Sequence, residues 1–243
     1  MARLSGLCLV LLLVSACGRY FAGPIMPAAE DRQEAASVVQ DDGSITQVHD
    51  RLEISLRPMS DDELNRQMAT FSQDGANSAN PYTFGNWKPI GDSYTPPKYS
   101  VFQLTVKNYQ YPKVMLDPGN AELLARGAHR EFRPINREDI LEYYYSLNQA
   151  YTGHNSRVFS ERSDLLRKSL YPSDEYVFSG QETVGYVVFP VLPPDVLEFE
   201  IEIREIGIRF NYRDEPTEQM DLVYRFEREV FKGYHPPEEL VRK

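Results

Sequence analysis

The chain has 243 residues, of which 42% are hydrophobic and 26% charged, and its formal net charge is −10. That is the balance of a globular protein with enough apolar sequence for a sizeable core, and the excess acid disfavours nucleic acid and anionic lipid head groups as general partners. Cysteine occurs only at Cys8 and Cys17, so the rest of the chain can carry no disulfide, thiol redox centre, iron–sulfur cluster or cysteine zinc site.

A single positive charge, Arg3, precedes an apolar run from Leu4 to Ala16. The run has the length of a signal-peptide core and falls short of the roughly 20 residues needed to span a bilayer. It ends in Val14-Ser15-Ala16-Cys17, small residues before a cysteine, and this ending resembles the lipobox of bacterial lipoproteins. The resemblance implies that residues 1–16 are a signal peptide and that the Cys17 thiol accepts a diacylglyceryl group. Cys17 would then begin a mature chain held by its lipid on a membrane of the cell envelope. Several acyl chains give durable anchoring, because each buried methylene contributes about 0.8 kcal/mol and one chain alone binds only marginally. Gly18 stands where inner-membrane lipoproteins of diderm bacteria commonly carry Asp; by resemblance the outer membrane, facing the periplasm or the surface, is favoured. An ordinary secretory signal with a chance cysteine, or a buried apolar helix, is the alternative.

Residues 17–44 carry Pro, Ala, Gln and acidic residues without a sustained apolar period, which predicts a flexible tether. About 27 such residues, at roughly 5–6 Å × √n, would hold a domain on the order of 30 Å from the anchor. The folded part is expected over residues 45–235, with a C-terminal tail over 236–243. It opens on a strand in which Val48, Leu52, Ile54 and Leu56 face inward and which Pro58 ends. Ser60-Asp61-Asp62-Glu63 is a capping-box pattern, the Ser side chain meeting the backbone of Glu63 and the Glu reaching back. It starts a short helix with Leu64, Gln67, Met68 and Phe71 on one face. Residues 72–98, rich in Gly, Pro, Asn and Ser, read as a long surface loop or a divider.

Period-two alternation then returns. Phe102, Leu104 and Val106 alternate with Gln103, Thr105 and Lys107, giving one buried and one wet face. Short strands follow, broken by the turn signals Asp117-Pro118-Gly119-Asn120 and Arg126-Gly127. Later, Leu197, Phe199, Ile201 and Ile203 alternate with charged residues, and Met220, Leu222, Tyr224 and Phe226 do the same. These strands predict a mainly β fold, an immunoglobulin-like antiparallel β-sandwich. Residues Phe178 to Ile203, with a Gly-containing turn, a Gly-aromatic-hydrophobic strand ending in Phe-Pro and a partner strand, resemble the immunoglobulin-like (telokin-like) domains of bacterial lipoproteins, most of unknown function. The strand Val101 to Asn108, with Asn at its end, fits the same likeness, which covers roughly Tyr99 to Val230 and implies a fold but no catalytic motif.

A helical insertion near 136–171 departs from that likeness. Asn136 can cap a helix with Glu138 and Asp139 in its first turn and Ile140, Tyr144, Leu147 and Tyr151 along one face. A second helical stretch brings Leu165, Leu166 and Leu170 together and ends at Pro172. Such an insertion serves as a cap packed on the sandwich or as a lid over a site.

Candidate ligand-binding residues are the aromatic ones at Tyr82, Phe84 and Trp87 in the polar loop and at Tyr143 and Tyr145 on the insertion. Neighbours on a helix diverge by about 100°, so Tyr143, Tyr144 and Tyr145 cannot all face one core. Exposed rings stack on sugars or peptides, and buried ones would tie the loop to the sandwich. No nucleophile elbow, zinc-protease helix, phosphate loop or dinucleotide fingerprint occurs. His49, His129, His154 and His235 are dispersed among polar residues, and Asp117 to Asn120 falls short of a calcium loop. Glu198, Glu200 and Glu202 form an acidic stripe that is either a solvated face or a basic partner's site. No catalytic residue, metal or cofactor is expected. The expected function is a non-enzymatic interaction or structural module that meets the membrane through its lipid and binds an envelope protein, peptide or glycan. The alternative is an envelope hydrolase with an unrecognised acidic site.

Overall fold

The computed structural model describes residues 18–91, 93–127, 129–151 and 156–241; Cys17, the signal-peptide segment and His154 lie outside the described residues. The chain is mainly β, an antiparallel sandwich with a helical insertion. Strands are numbered in chain order. One sheet runs β11 (Gln181–Pro190), β6 (Tyr99–Asn108), β5 (Leu52–Met59), β4 (Ile45–His49), β3 (Ser37–Val39). The other runs β10 (Tyr176–Phe178), β7 (Lys113–Met115), β12 (Glu198–Phe210), β13 (Pro216–Glu227), β2 (Met26–Pro27), with β8 (Ala121–Ala125) on β12 and β9 (Arg130–Phe132) on β8. A separate ribbon pairs β1 (Arg19–Ala22) with β14 (Val230–Gly233).

Apolar side chains from the inner faces of both sheets form one core. At its centre Phe102 meets Phe189, Phe199 and Phe226 with ring centroids 5.9, 6.3 and 5.2 Å apart. The Tyr224 hydroxyl crosses between sheets, donating to the Ile54 carbonyl at 3.0 Å, so the buried ring keeps its polar end satisfied.

The alternation between 45 and 58 is two strands, not one. His49 pairs with Leu52 across a two-residue turn in which Asp50 has φ 53°, a left-handed position that Asp tolerates. The reversal leaves Val48 exposed while Leu52, Ile54 and Leu56 are buried. Pro58 does not end β5: it lies opposite Phe102, beyond the last β4 pairing at Leu56, where its missing N–H costs no ladder bond. In β12 the alternation carries Phe199, Ile201 and Ile203 inward, then breaks at a bulge where Glu205 has φ 59°. Beyond it Ile206 and Ile208 face the core, the face change that one extra residue imposes. Leu197, expected inward, precedes the strand and is exposed.

Residues 18–44 are not a flexible tether. β1 pairs with β14, β2 with β13 and β3 with β4, and Phe21 is wholly buried, edge-on to Tyr94. The Gln33 side chain donates to the carbonyls of Ala28 and Arg225 at 3.0 and 2.7 Å and accepts from Arg225 N at 3.0 Å. The segment lacks an apolar period because it packs as an edge, one or two side chains at a time, while backbone bonds do most of the joining. β1 therefore belongs to the folded unit, and the C-terminal stretch adds a short helix, Glu238–Val241.

The outer face of the β11–β6–β5 sheet is covered as well. Helix α1 (Asp61–Gln67) is capped by Ser60, whose Oγ accepts from Glu63 N at 3.3 Å. The Glu63 carboxylate pairs with Arg57 rather than reaching back. Helices α2 (Arg137–Tyr151) and α3 (Ser156–Ser169) complete the layer, and Asn136 Oδ1 caps α2 by accepting from Asp139 N at 2.8 Å. Leu64, Met68, Ile140, Tyr144 and Leu166 pack there against Val101, Tyr186 and Val188. Residues 72–98 are not simply a surface loop: Ser78 to Thr83 are buried in this second core. Asn80 holds them there, its Nδ2 reaching Asn65 Oδ1 and Ser72 Oγ at 3.1 Å each and its Oδ1 accepting from Tyr82 N at 3.0 Å.

Candidate functional site

The helical layer gathers aromatic and charged groups around Lys98, the residue that leads into β6. Its Nζ lies 5.2 Å from the Phe84 ring centroid, 5.7 Å from Tyr99, 4.9 Å from Tyr143 and 4.2 Å from Tyr144. It also donates to the Tyr144 hydroxyl at 2.6 Å, which in turn donates to the Pro81 carbonyl at 2.6 Å. Beneath, the buried Arg162 guanidinium stacks 4.1 Å from the Tyr144 ring centroid and gives Nε and Nη2 to the Ser78 carbonyl at 3.1 and 2.6 Å. Four chain segments therefore meet here: the 78–87 loop, the start of β6, α2 and α3.

Burial pushes Lys98 down to about 7; Arg162 adds to the push and Asp61 opposes it. Burial pushes Asp61, in the first turn of α1, up to about 7, with Asp62 adding and Lys98 opposing. The ring faces favour the ammonium form, so neutral and charged Lys98 are close in free energy. Between about pH 4 and 7, folded Asp61 keeps a proton that the unfolded chain has lost, and its share of stability falls as pH rises. Between about 7 and 10, the unfolded chain holds a Lys98 proton that the fold has released, and that share rises. Lys98→Met is expected to flatten the second limb in urea unfolding measured across pH. An unchanged slope means that Lys98 keeps its proton in the fold.

Of the aromatic residues singled out in sequence, the structure brings Phe84, Trp87 and Tyr143 together. The Trp87 ring packs 5.8 Å from Phe84 and is 38% exposed, and Tyr143 is 45% exposed. Tyr145 turns instead to Phe159 of α3, centroids 6.1 Å apart. Tyr82, expected among the ligand-binding rings, is instead wholly buried, hydrogen-bonded to Ser169 Oγ at 2.6 Å and edge-on to Tyr186, so it joins the loop to the helices and has no face open to a ligand. Lys98 and Arg162 carry no sequence signal beyond their charge, and Asp61 none beyond its place in the capping box, because the partners that gather them come from distant segments.

The other candidates are accounted for by ordinary contacts. Glu198 pairs with Arg32 at 3.5 Å, Glu200 with Arg126 at 2.7 Å and Arg225 at 3.5 Å, and Glu202 with Arg204. A cavity of about 280 Å³ among Arg32, Arg126, Glu198 and Arg225 is thus lined by groups already paired. Asp117 caps its own turn, accepting from Gly119 N at 2.8 Å. His49, His129 and His235 are exposed, and among the described residues no group of three or more His, Cys, Asp or Glu could hold a metal ion. No helix among the described residues is long and apolar enough to cross a membrane. Comparison with family models, with curated proteins and with solved structures found no match to the chain.

Proposed function

We propose that the chain is a lipid-anchored envelope protein acting as a non-enzymatic interaction module, which receives an envelope protein, peptide or glycan on the aromatic face of Phe84, Trp87 and Tyr143. The observation that supports this is the half-open assembly of Phe84 and Tyr143 around Lys98, with Trp87 packed on Phe84. Flat aromatic rings with few rotatable bonds lose little entropy when a sugar or peptide stacks on them.

Two measurements test the two halves of the reading. For the module, a photo-reactive residue replacing Tyr143 in intact cells is expected to give one discrete adduct, absent when it replaces the exposed Tyr109 at the other end of β6. Trp87 is the only tryptophan, so its emission should shift when the purified adduct partner is added and not in Tyr143→Ala. The same adduct from both positions, or from neither, removes the module reading. For the anchor, the wild-type protein is expected in the detergent phase of a two-phase extraction and Cys17→Ser in the aqueous phase with an unchanged melting temperature. Equal partitioning of the two removes the lipid anchor.

An envelope hydrolase is the second reading. It rests on Asp61 and Lys98, two neighbouring groups that burial drives towards neutrality, as catalytic acids and bases often are.

A further inference from the structure

We propose that the β1–β14 ribbon is the membrane-facing surface of the protein, with Tyr20, Lys232 and Tyr234 seated in the head-group layer of the bilayer that holds the Cys17 acyl chains. This rests on the lipid-anchor half of the preceding reading and adds a geometry that anchoring alone does not require.

Slack is the first argument. β1 starts at Arg19, and Phe21 is wholly buried against the body. Phe21 stands four positions after Cys17, and extended chain reaches at most about 3.5 Å per residue, so the backbone that carries the acylated sulfur is tied within roughly 14 Å of the Phe21 backbone. Even Gly18 is committed, since a Cβ placed on it would lie 3.0 Å from Lys232 Cγ. A free tether over 17–44 would have allowed on the order of 30 Å and any orientation. Here the anchor leaves the folded surface directly, and the bilayer must lie against whatever surrounds that exit.

The ribbon's two faces are the second argument. Tyr20 pairs with Lys232 and Phe21 with Phe231, so alternate side chains go to opposite faces. The inner face carries Phe21, and Ala22 exchanges hydrogen bonds with the Tyr94 hydroxyl at 3.1 and 3.3 Å. The outer face carries Tyr20, 52% exposed, beneath Lys232 Nζ at 5.6 Å, and Tyr234 follows at 65% exposed. Tyrosine rings with polar tips and a lysine with an apolar stem suit the boundary between head groups and acyl chains. The overall acidity of the chain is no obstacle, because this face presents a cation.

The test uses the full acylated protein in vesicles of phosphatidylethanolamine and phosphatidylglycerol that carry a head-group nitroxide quencher. The acylated Cys17 thiol is blocked, so a fluorophore can be placed singly on Tyr234→Cys or on Tyr212→Cys. Tyr212, 87% exposed, sits in the turn between β12 and β13, separated from the ribbon by the length of β13, on the order of 35–40 Å at about 3.4 Å per residue. Quenching several-fold stronger at the first position is expected, and a long Gly/Ser insert between Cys17 and Gly18 should abolish the difference while vesicle binding persists. Equal quenching at both positions on vesicle-bound protein overturns the apposed orientation and leaves the anchor standing. A protein without acyl mass that fails to bind vesicles removes the anchor and this inference together.

Discussion

Gly185→Val in β11 is expected to lower the melting temperature by about 10 °C. A Cβ at Gly185 would lie 2.4 Å from Tyr171 Cα, 2.5 Å from Tyr171 N and 2.8 Å from Leu170 C. All three are backbone atoms, so no side-chain rotation relieves the overlap. The approach is close because the chain leaving α3 docks on β11: Tyr171 N donates to the Tyr186 carbonyl at 3.0 Å, and Leu170 bridges to Tyr186. Overpacking costs roughly 1–3 kcal/mol where side chains can adjust, and losing the Tyr171 bond adds about 1 kcal/mol. At about 2–4 °C per kcal/mol for a domain of this size, the two together give the stated shift. Thermal unfolding followed by circular dichroism measures it, with Gly185→Ala expected to show a smaller loss of the same sign. A melting temperature within a degree or two of wild type would mean that the exit of α3 moves freely away from the sheet.

Asn108→Ala is the second large effect, about 3 kcal/mol lost in urea unfolding. Asn108 ends β6 and is buried. Its Nδ2 donates to the carbonyls of Tyr111 and Val177 at 2.8 Å each, and its Oδ1 accepts from Gln110 N at 3.2 Å and Tyr111 N at 2.9 Å. One side chain thus joins the end of one sheet to β10 of the other and shapes the crossover towards β7. Removing it strands several buried backbone groups at once, each costing about 1–3 kcal/mol when left dry. Asn108→Asp should lose at least as much, since an oxygen would replace the donor facing two carbonyls. A loss under about 1 kcal/mol for the alanine variant would mean that water takes over the side chain's bonds.

The two positions differ in how far a sequence reader could see them. Asn108 was visible as an Asn closing an alternating strand, and its place at a sheet end follows from where the alternation stops. Gly185 sits in an otherwise regular strand with an unremarkable φ, and its need for glycine arises only from a helix exit more than ten residues upstream.

The same division runs through the whole chain. Sequence by itself determined the sheets' inner faces, because period-two alternation in Phe102–Val106, Phe199–Ile203 and Leu222–Phe226 leaves one way to bury a strand's apolar side. It also determined the two inserted helices, through the Asn136 cap and the spacing of Ile140, Tyr144 and Leu166. It named Phe84, Trp87 and Tyr143 as notable rings without saying that they meet. Tertiary structure alone decided that residues 18–44 pack on the body, that Tyr82 is core, and that Lys98 stands among four rings. The physical reason is common to all three. Local periodicity records the burial of a face, whereas an edge strand, a buried loop and an aromatic shell are held by single contacts between distant segments, and one contact leaves no period to read.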